Sequence, residues 1–155
     1  MCQKTYLATK TIRNAIQTNG TLLTDEWCEF FKQNDFLVGL SLDGPEDIHN
    51  RYRCNRAGQP TFNEVMRGMR LLKKWGVEFN VLASVARETA YRPLDVYHFF
   101  KEQGAAFIQF TPVVERIADQ KAAGYGLQLA MPAALDTKET NTQVTSWTVE
   151  PEKYG

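Results

Sequence analysis

Four places in this sequence collect side chains that could grip a small polar molecule. They are Gln17, Thr18 and Asn19; Ser41 and Asp43; Ser84 and Arg87; and Gln109 and Thr111. Each group sits at the end of, or within, a short run rich in apolar and β-branched residues. Hydroxyls, amides, one carboxylate and one guanidinium are hydrogen-bonding groups suited to a ribose or an amino-acid head group. The second group is the sharpest. In FLVGLSLDGP the apolar run Phe36–Leu40 gives way to Ser41-Leu42-Asp43, so on a strand both polar side chains leave on one side. Gly44-Pro45 then stops the strand, because Pro45 has no amide hydrogen for a ladder. Two readings of Asp43 stand side by side: it contacts a ligand, or it caps its own turn. Burying it or Ser41 without a partner would cost about 1–3 kcal/mol. Both are therefore expected to face solvent, a ligand or another polar end such as Asn19.

Other chemistries find less support. The two histidines, His49 and His98, have no serine–aspartate company that would make a nucleophile. His98 reads as a half-buried helix residue and His49 as a loop residue, the better candidate of the two but ordinarily solvated. Arg51, Arg53 and Arg56 could clamp a carboxylate, or simply decorate a solvated loop; Arg53 is the one favoured for a role. Gly58, Gly68 and Gly76 are too scattered for a phosphate loop. Cys2, Cys28 and Cys54 show no ligand spacing, so free thiols and no metal site are expected.

Those groups need elements to carry them. A chain of 155 residues holds one domain with a real core. Its 18 basic and 18 acidic residues cancel, which gives no bulk attraction for nucleic acid or an anionic membrane. No apolar run is long enough to span a bilayer, and Met1-Cys2-Gln3-Lys4 does not open a secretory signal, so the expected compartment is the cytoplasm.

The pattern alternates strands and helices. Thr11–Thr18 reads as a strand ended by Asn19-Gly20. Thr24 caps a helix with Asp25 and Glu26 in its first turn and Trp27, Phe30 and Phe31 as its apolar face. After the Phe36 strand, Glu46–Pro60 reads as a long polar loop. Phe62, Val65, Met66, Met69 and Leu72 mark an amphipathic helix from Thr61 to Gly76. Val77–Val85 is the next strand. A helix from Arg92-Pro93 to Gly104 should bury Leu94, Val96, Tyr97 and Phe100, and Phe107–Val113 is a fourth strand cut by Pro112. Each crossover is long enough to require parallel pairing. The fold class is α/β: about four parallel strands and three helices forming an open sheet or a partial barrel, with helices on one face. Residues 1–115 make this unit. Residues 116–155 read as an irregular tail, with one short strand near Ser146–Val149 and a helix beginning at Pro151.

Several strings then carry a resemblance. QTNGTLLTDEWCEFF, VGLSLDGPEDIHNRYR, TFNEV and VEFNVL occur in an order and spacing that resembles the anaerobic sulfatase-maturating enzymes of the radical S-adenosylmethionine superfamily, in the branch with extra iron–sulfur clusters. The resemblance covers most of the chain, from about Ile12 to Gly155. It implies a partial (β/α) barrel and, for the family, oxidation of a sulfatase cysteine or serine to formylglycine. The cofactors implied are S-adenosylmethionine and a [4Fe–4S] cluster. Matched residue by residue, Gln17 and Asn19 would face the cofactor, and Ser41 and Asp43 would meet its ribose. Arg53, in HNxxR, would approach its polar groups; Ser84 would lie beside the adenine and Gln109 would line the adenine pocket.

The departures shape the expectation as much as the matches. The family's cluster-binding CxxxCxxC and its glycine-glycine-glutamate motif are absent from these residues, and Cys2 cannot replace three ligands. The resemblance implies that the chain starts after that loop and stops before the auxiliary-cluster domain, to which residues 116–155 would lead. No catalytic residue is assigned, no cluster is expected, and S-adenosylmethionine binding is expected to be weak or absent. Expected partners are a sulfatase or a complementary chain fragment, with self-association through the open edge of the first strand. The competing reading is a non-enzymatic binding or regulatory protein built on the half-barrel.

Overall fold

The computed structural model describes residues 13–118, 120–130 and 143–154. Four strands, β1 (Asn14–Thr18), β2 (Phe36–Ser41), β3 (Phe79–Val85) and β4 (Ile108–Pro112), form one sheet in sequence order, every pair parallel. Helix α1 (Asp25–Gln33) connects the first two strands. Helices α2 (Glu46–Tyr52) and α3 (Phe62–Lys74) connect the next two, and α4 (Arg87–Tyr91) and α5 (Pro93–Glu102) the last two. The expected parallel α/β order is present. The expected first strand is seen from Asn14 onward; Thr11 and Ile12 lie outside the described residues.

The register explains which side is core. Thr18, Leu40, Val81 and Ile108 lie in one row across the sheet, and the same face carries Val38 and Ala83. Val38, Leu40, Leu42 and Val81 are completely buried there. They pack on Cys28 and Phe31 of α1, Val65, Met66, Met69 and Leu72 of α3, and Val96 and Phe100 of α5. Each such aliphatic side chain contributes about 1.5–3 kcal/mol by leaving water. The approach of α3 is close: a Cβ on Gly68 would overlap the carbonyl oxygen of Gly20, so only a glycine lets the helix reach the β1–α1 turn. The opposite face of the sheet carries Gln17, Gly39, Ser41, Asn80, Leu82, Ser84, Gln109 and Thr111, and among the described residues the core helices all pack on the other side.

Several local expectations are corrected. The Glu46–Pro60 stretch is not all loop: its first half is α2, begun by Pro45, with Glu46 and Asp47 in the first turn and Ile48 and His49 buried. Two turns of helix offer too few apolar positions for a visible period. The short α4 was hidden for the same reason. On α1, Cys28 and Phe31 face the core while Trp27 and Phe30 flank it, about half exposed. On α5 the inward pair is Val96 and Phe100, one turn apart; Leu94 and Tyr97 point outward. His98 is exposed, not half-buried. Thr24 caps α1 as expected, its Oγ1 accepting from the Trp27 amide at 3.3 Å.

Beyond β4 the chain folds back over the end of the sheet. Strands β5 (Arg116–Ile117) and β6 (Leu129–Ala130) pair antiparallel around α6 (Gln120–Gly124), and α7 (Pro151–Tyr154) follows the last described turn. No strand forms at Ser146–Val149. The pairing there is a single bridge between Arg116 and Val144, after which the chain turns. Val149 donates to the Val113 carbonyl at 3.0 Å and packs on Val85 and Ala90, while Arg87 pairs with Glu150.

Candidate functional site at the carboxyl edge of the sheet

Strand β2 delivers the centre of the site. Leu42 still donates to the Leu82 carbonyl at 3.1 Å, so the ladder holds Asp43 beside β3 before the chain turns at Gly44. Asp43 is only 3% exposed. Its Oδ2 accepts from Arg53 Nε at 2.6 Å; its Oδ1 accepts from Arg53 Nη2 at 3.0 Å and from the Ser84 amide at 2.8 Å. Arg53 Nη2 also donates to Ser84 Oγ at 3.2 Å. Neither sequence reading of Asp43 describes this. It is buried rather than solvated, and its carboxylate is held by a fork and a neighbouring strand, not by its own turn amides. A buried carboxylate is tolerable here because the bidentate guanidinium and a third donor replace its lost water.

The guanidinium is placed by a second layer. Arg53 ends α2, and His49 on that helix lies fully buried at the junction with α3. His49 Nδ1 faces the Asp43 amide at 3.4 Å and Nε2 lies 3.2 Å from Thr61 Oγ1. Thr61 Oγ1 in turn donates to the Arg53 carbonyl at 2.7 Å. Asn50 Oδ1 accepts from the Thr61 and Phe62 amides at 3.1 and 3.0 Å, capping α3 from one helix away. Burial pushes the His49 imidazole down to about 4; Arg53 pushes the same way and Asp43 opposes. Sequence reasoning singled out His49 as the better histidine but expected it to be solvated, and it missed Thr61 and Asn50. The HN pair of HNxxR was the available signal, but only the tertiary fold buries it.

The other expected residues are placed as follows. Ser41 is 5% exposed and lies on the uncovered face two residues before Asp43. Ser84 is joined to the Asp43–Arg53 pair directly. Gln17 and Gln109 lie on the same face but are exposed and make no hydrogen bond to that cluster. Asn19 is exposed, and its Oδ1 accepts from the Thr21 amide at 3.2 Å and the Thr21 hydroxyl at 3.1 Å. Arg51 leaves the cluster altogether and pairs with Glu88 at 3.0 Å, which also accepts from the Tyr52 hydroxyl; burial, with Glu88 beside it, raises that phenol to about 12.

This donor set suits a polar organic ligand. Arg53 keeps about a third of its side chain exposed, and its Nη1 makes no hydrogen bond among the described residues. It does not suit an iron–sulfur cluster. Cys28 is sealed in the core, Cys54 donates to the Asn50 carbonyl on the surface, and no three His, Cys, Asp or Glu side chains among the described residues converge on a metal position.

A parallel sheet with helices on one face and polar side chains at its carboxyl edge defines a segment of a (β/α) barrel. The chain belongs to the radical SAM superfamily, whose family model matches residues 2–90. It is 49% identical over 153 residues to a serine-type anaerobic sulfatase-maturating enzyme of Bacteroides thetaiotaomicron, covering 99% of this chain and 35% of that protein. A cysteine-type enzyme of Clostridium perfringens is 44% identical over 110 residues, covering 71% and 30%. The solved structure described as native anSMEcpe with bound AdoMet and Kp18Cys peptide superposes with a TM-score of 0.68 at 45% identity, over 70% of this chain and 30% of that one. The chain thus spans about a third of the length of these relatives.

Proposed function

We propose that these residues form the S-adenosylmethionine-binding wall of an anaerobic sulfatase-maturating enzyme, acting on a cysteine or serine of a sulfatase in the cytoplasm. The observation that carries the reading is the Asp43–Arg53–Ser84 cluster at the carboxyl edge of an uncovered sheet face, in a radical SAM chain whose structural relative is described with AdoMet bound. Ser41 Oγ, Ser84 Oγ and Arg53 Nη1 are the groups that would meet the ribose and the ligand's polar ends. Gln17, Asn19 and Gln109 extend the wall on either side. Because Asp43 neutralises Arg53, the wall offers oriented donors and not net charge, which suits a ligand that itself carries both signs.

When bound beside an iron–sulfur cluster, S-adenosylmethionine supplies the family with a radical that takes a hydrogen atom. Within these 155 residues the chain's part is to bind and orient. The three thiolates that hold such a cluster are not among them, so these residues alone are expected to leave S-adenosylmethionine uncleaved. Residues 116–155 fit the start of the connection to a further domain.

The test is calorimetric titration of S-adenosylmethionine and S-adenosylhomocysteine into the 155-residue chain and its Ser41→Ala and Arg53→Lys variants. Weak binding by the wild type, reduced in both variants, is the expected result. Arg53→Lys keeps the charge but loses the fork. Equal heats in all three proteins would overturn the assignment. Release of 5′-deoxyadenosine under anaerobic reduction would contradict the division of labour.

A further inference from the structure

We infer that His49 is a positioning residue, locked as the neutral Nε2–H tautomer, that sets both ends of the Asp43–Arg53 pair. This deepens the proposed cofactor wall and rests on that reading for its link to ligand binding.

The tautomer follows from donor counting. A backbone amide can only donate, so the Asp43 N–H facing Nδ1 requires a bare nitrogen there. Thr61 has one hydroxyl hydrogen, and the Arg53 carbonyl, which can only accept, takes it at 2.7 Å. Thr61 Oγ1 therefore meets Nε2 as an acceptor, and Nε2 must carry the proton. One ring then ties Asp43, two residues past β2, to Arg53, the residue after α2. Through its Nδ1 it steadies the backbone of Asp43; through Thr61 it steadies the backbone of Arg53. The two side chains it aligns are the ones that form the fork. Phe62, edge-on at 5.9 Å, closes the pocket around the ring.

A second proton has no place in this arrangement. On Nδ1 it would point at the Asp43 N–H, donor against donor, inside a fully buried site. From the elements packed on the ring, the end of β2, α2 and the start of α3, the charged groups acting on it are Asp43, which favours the cation, and Arg53, which opposes it. The depressed imidazole described above agrees with that balance. Acidification toward pH 4, where the ring takes its second proton, should thus loosen the fork.

The decisive experiment is long-range proton–nitrogen NMR of the uniformly labelled 155-residue chain, with hydrogen exchange at Arg53 Nε. In the wild type above about pH 5, His49 should show a protonated Nε2 and a bare Nδ1, and the Arg53 Nε–H should be protected. His49→Phe keeps the ring volume and removes both links; it should speed Arg53 Nε exchange about tenfold while core amides such as Val81 stay protected. His49→Asn retains the acceptor toward Asp43 and His49→Gln the donor toward Thr61, so each should restore part of the protection. His98→Gln, on an exposed position of α5, should change nothing. An imidazolium, an Nδ1–H tautomer, or Arg53 exchange that is the same in all His49 variants would overturn the inference. If His49→Phe fails to fold, the wild-type tautomer and the two amide variants still decide it. A parallel titration with S-adenosylhomocysteine should weaken about tenfold in His49→Asn. If the wild type binds none, the cofactor-wall reading fails while the tautomer and exchange measurements still judge His49.

Discussion

The two faces of this one sheet obey different rules. On the covered face, Val38, Leu40 and Val81 reach zero exposure beneath three helices, and their neighbours are almost all hydrocarbon. On the other face the same strands present Gln17, Asn80, Ser84 and Gln109, with Leu37 and Leu82 partly exposed among them. A parallel strand buried on both sides reads as continuous apolar residues, and FLVGL looked like that. Its alternate members turn out to serve different masters: Val38 and Leu40 hold the fold together, while Leu37 and Gly39 border the wall where a ligand is proposed to bind. Stability and recognition are thus separated by one residue of register. The edge where the faces meet is where Asp43 is buried as a charge.

The largest effect should come from that edge. Arg53→Ala would leave the Asp43 carboxylate buried without its fork, at a cost of roughly 3–5 kcal/mol. Urea denaturation should show the loss, and the double variant Arg53→Met with Asp43→Leu should recover much of it. Failure of the double variant to recover would mean the pair holds the fold by something other than charge compensation.

A sharper contrast lies within β2. Leu40→Ala, on the covered face, should cost about 3 kcal/mol through lost burial and the cavity it leaves. Leu37→Ala, three residues earlier and 38% exposed, should cost well under 1 kcal/mol. Similar losses at both sites would show that the open face is covered in solution, by another chain or another copy.

Acid should discriminate next. The folded His49 titrates near 4 against an ordinary value of 6.5, so between those values the unfolded chain binds more protons than the fold. Stability should therefore be level above about pH 7 and fall as pH drops toward 4. A proton held in one state only gives a slope of up to about 1.4 kcal/mol per pH unit, and the whole window is worth about 2–3 kcal/mol. His49→Phe should flatten that limb of the stability profile. A wild-type profile with no slope between pH 6.5 and 5 would mean that the ring takes its proton in the fold as readily as in the unfolded chain.

Two glycines offer the smallest test. A Cβ at Gly20, where φ is +74°, would press on the buried Leu40 side chain; at Gly39 it would meet Leu82 at 2.8 Å on the open face. Gly20→Ala should cost more than about 1 kcal/mol, from backbone conformation and packing together. Gly39→Ala should cost less, about 0.5 kcal/mol, because Leu82 has room to swing away. The reverse order in thermal unfolding would contradict the assignment of the two faces.

Local chemistry determined a good deal by itself. The α3 helix was legible in the spacing of Val65, Met66, Met69 and Leu72, and the end of β2 in Gly44-Pro45, because periodicity and proline geometry act over a few neighbours. Parallel order followed from crossover length. Ser41 and Asp43 were legible as an edge pair from alternation alone. Tertiary structure decided what they meet. The Asp43–Arg53 fork joins residues separated by a turn and a helix too short to announce itself, and the Ser84 amide arrives from the neighbouring strand. Whether Trp27, Leu94 and Tyr97 point inward depends on how each helix is rotated against the sheet, which composition does not encode. His49 is the clearest case. Its neighbours in sequence, Ile48 apart, are polar and imply solvent. It becomes a buried, neutral linker because α2 and α3 close over it, and the donors and acceptors they bring leave room for one proton on the ring.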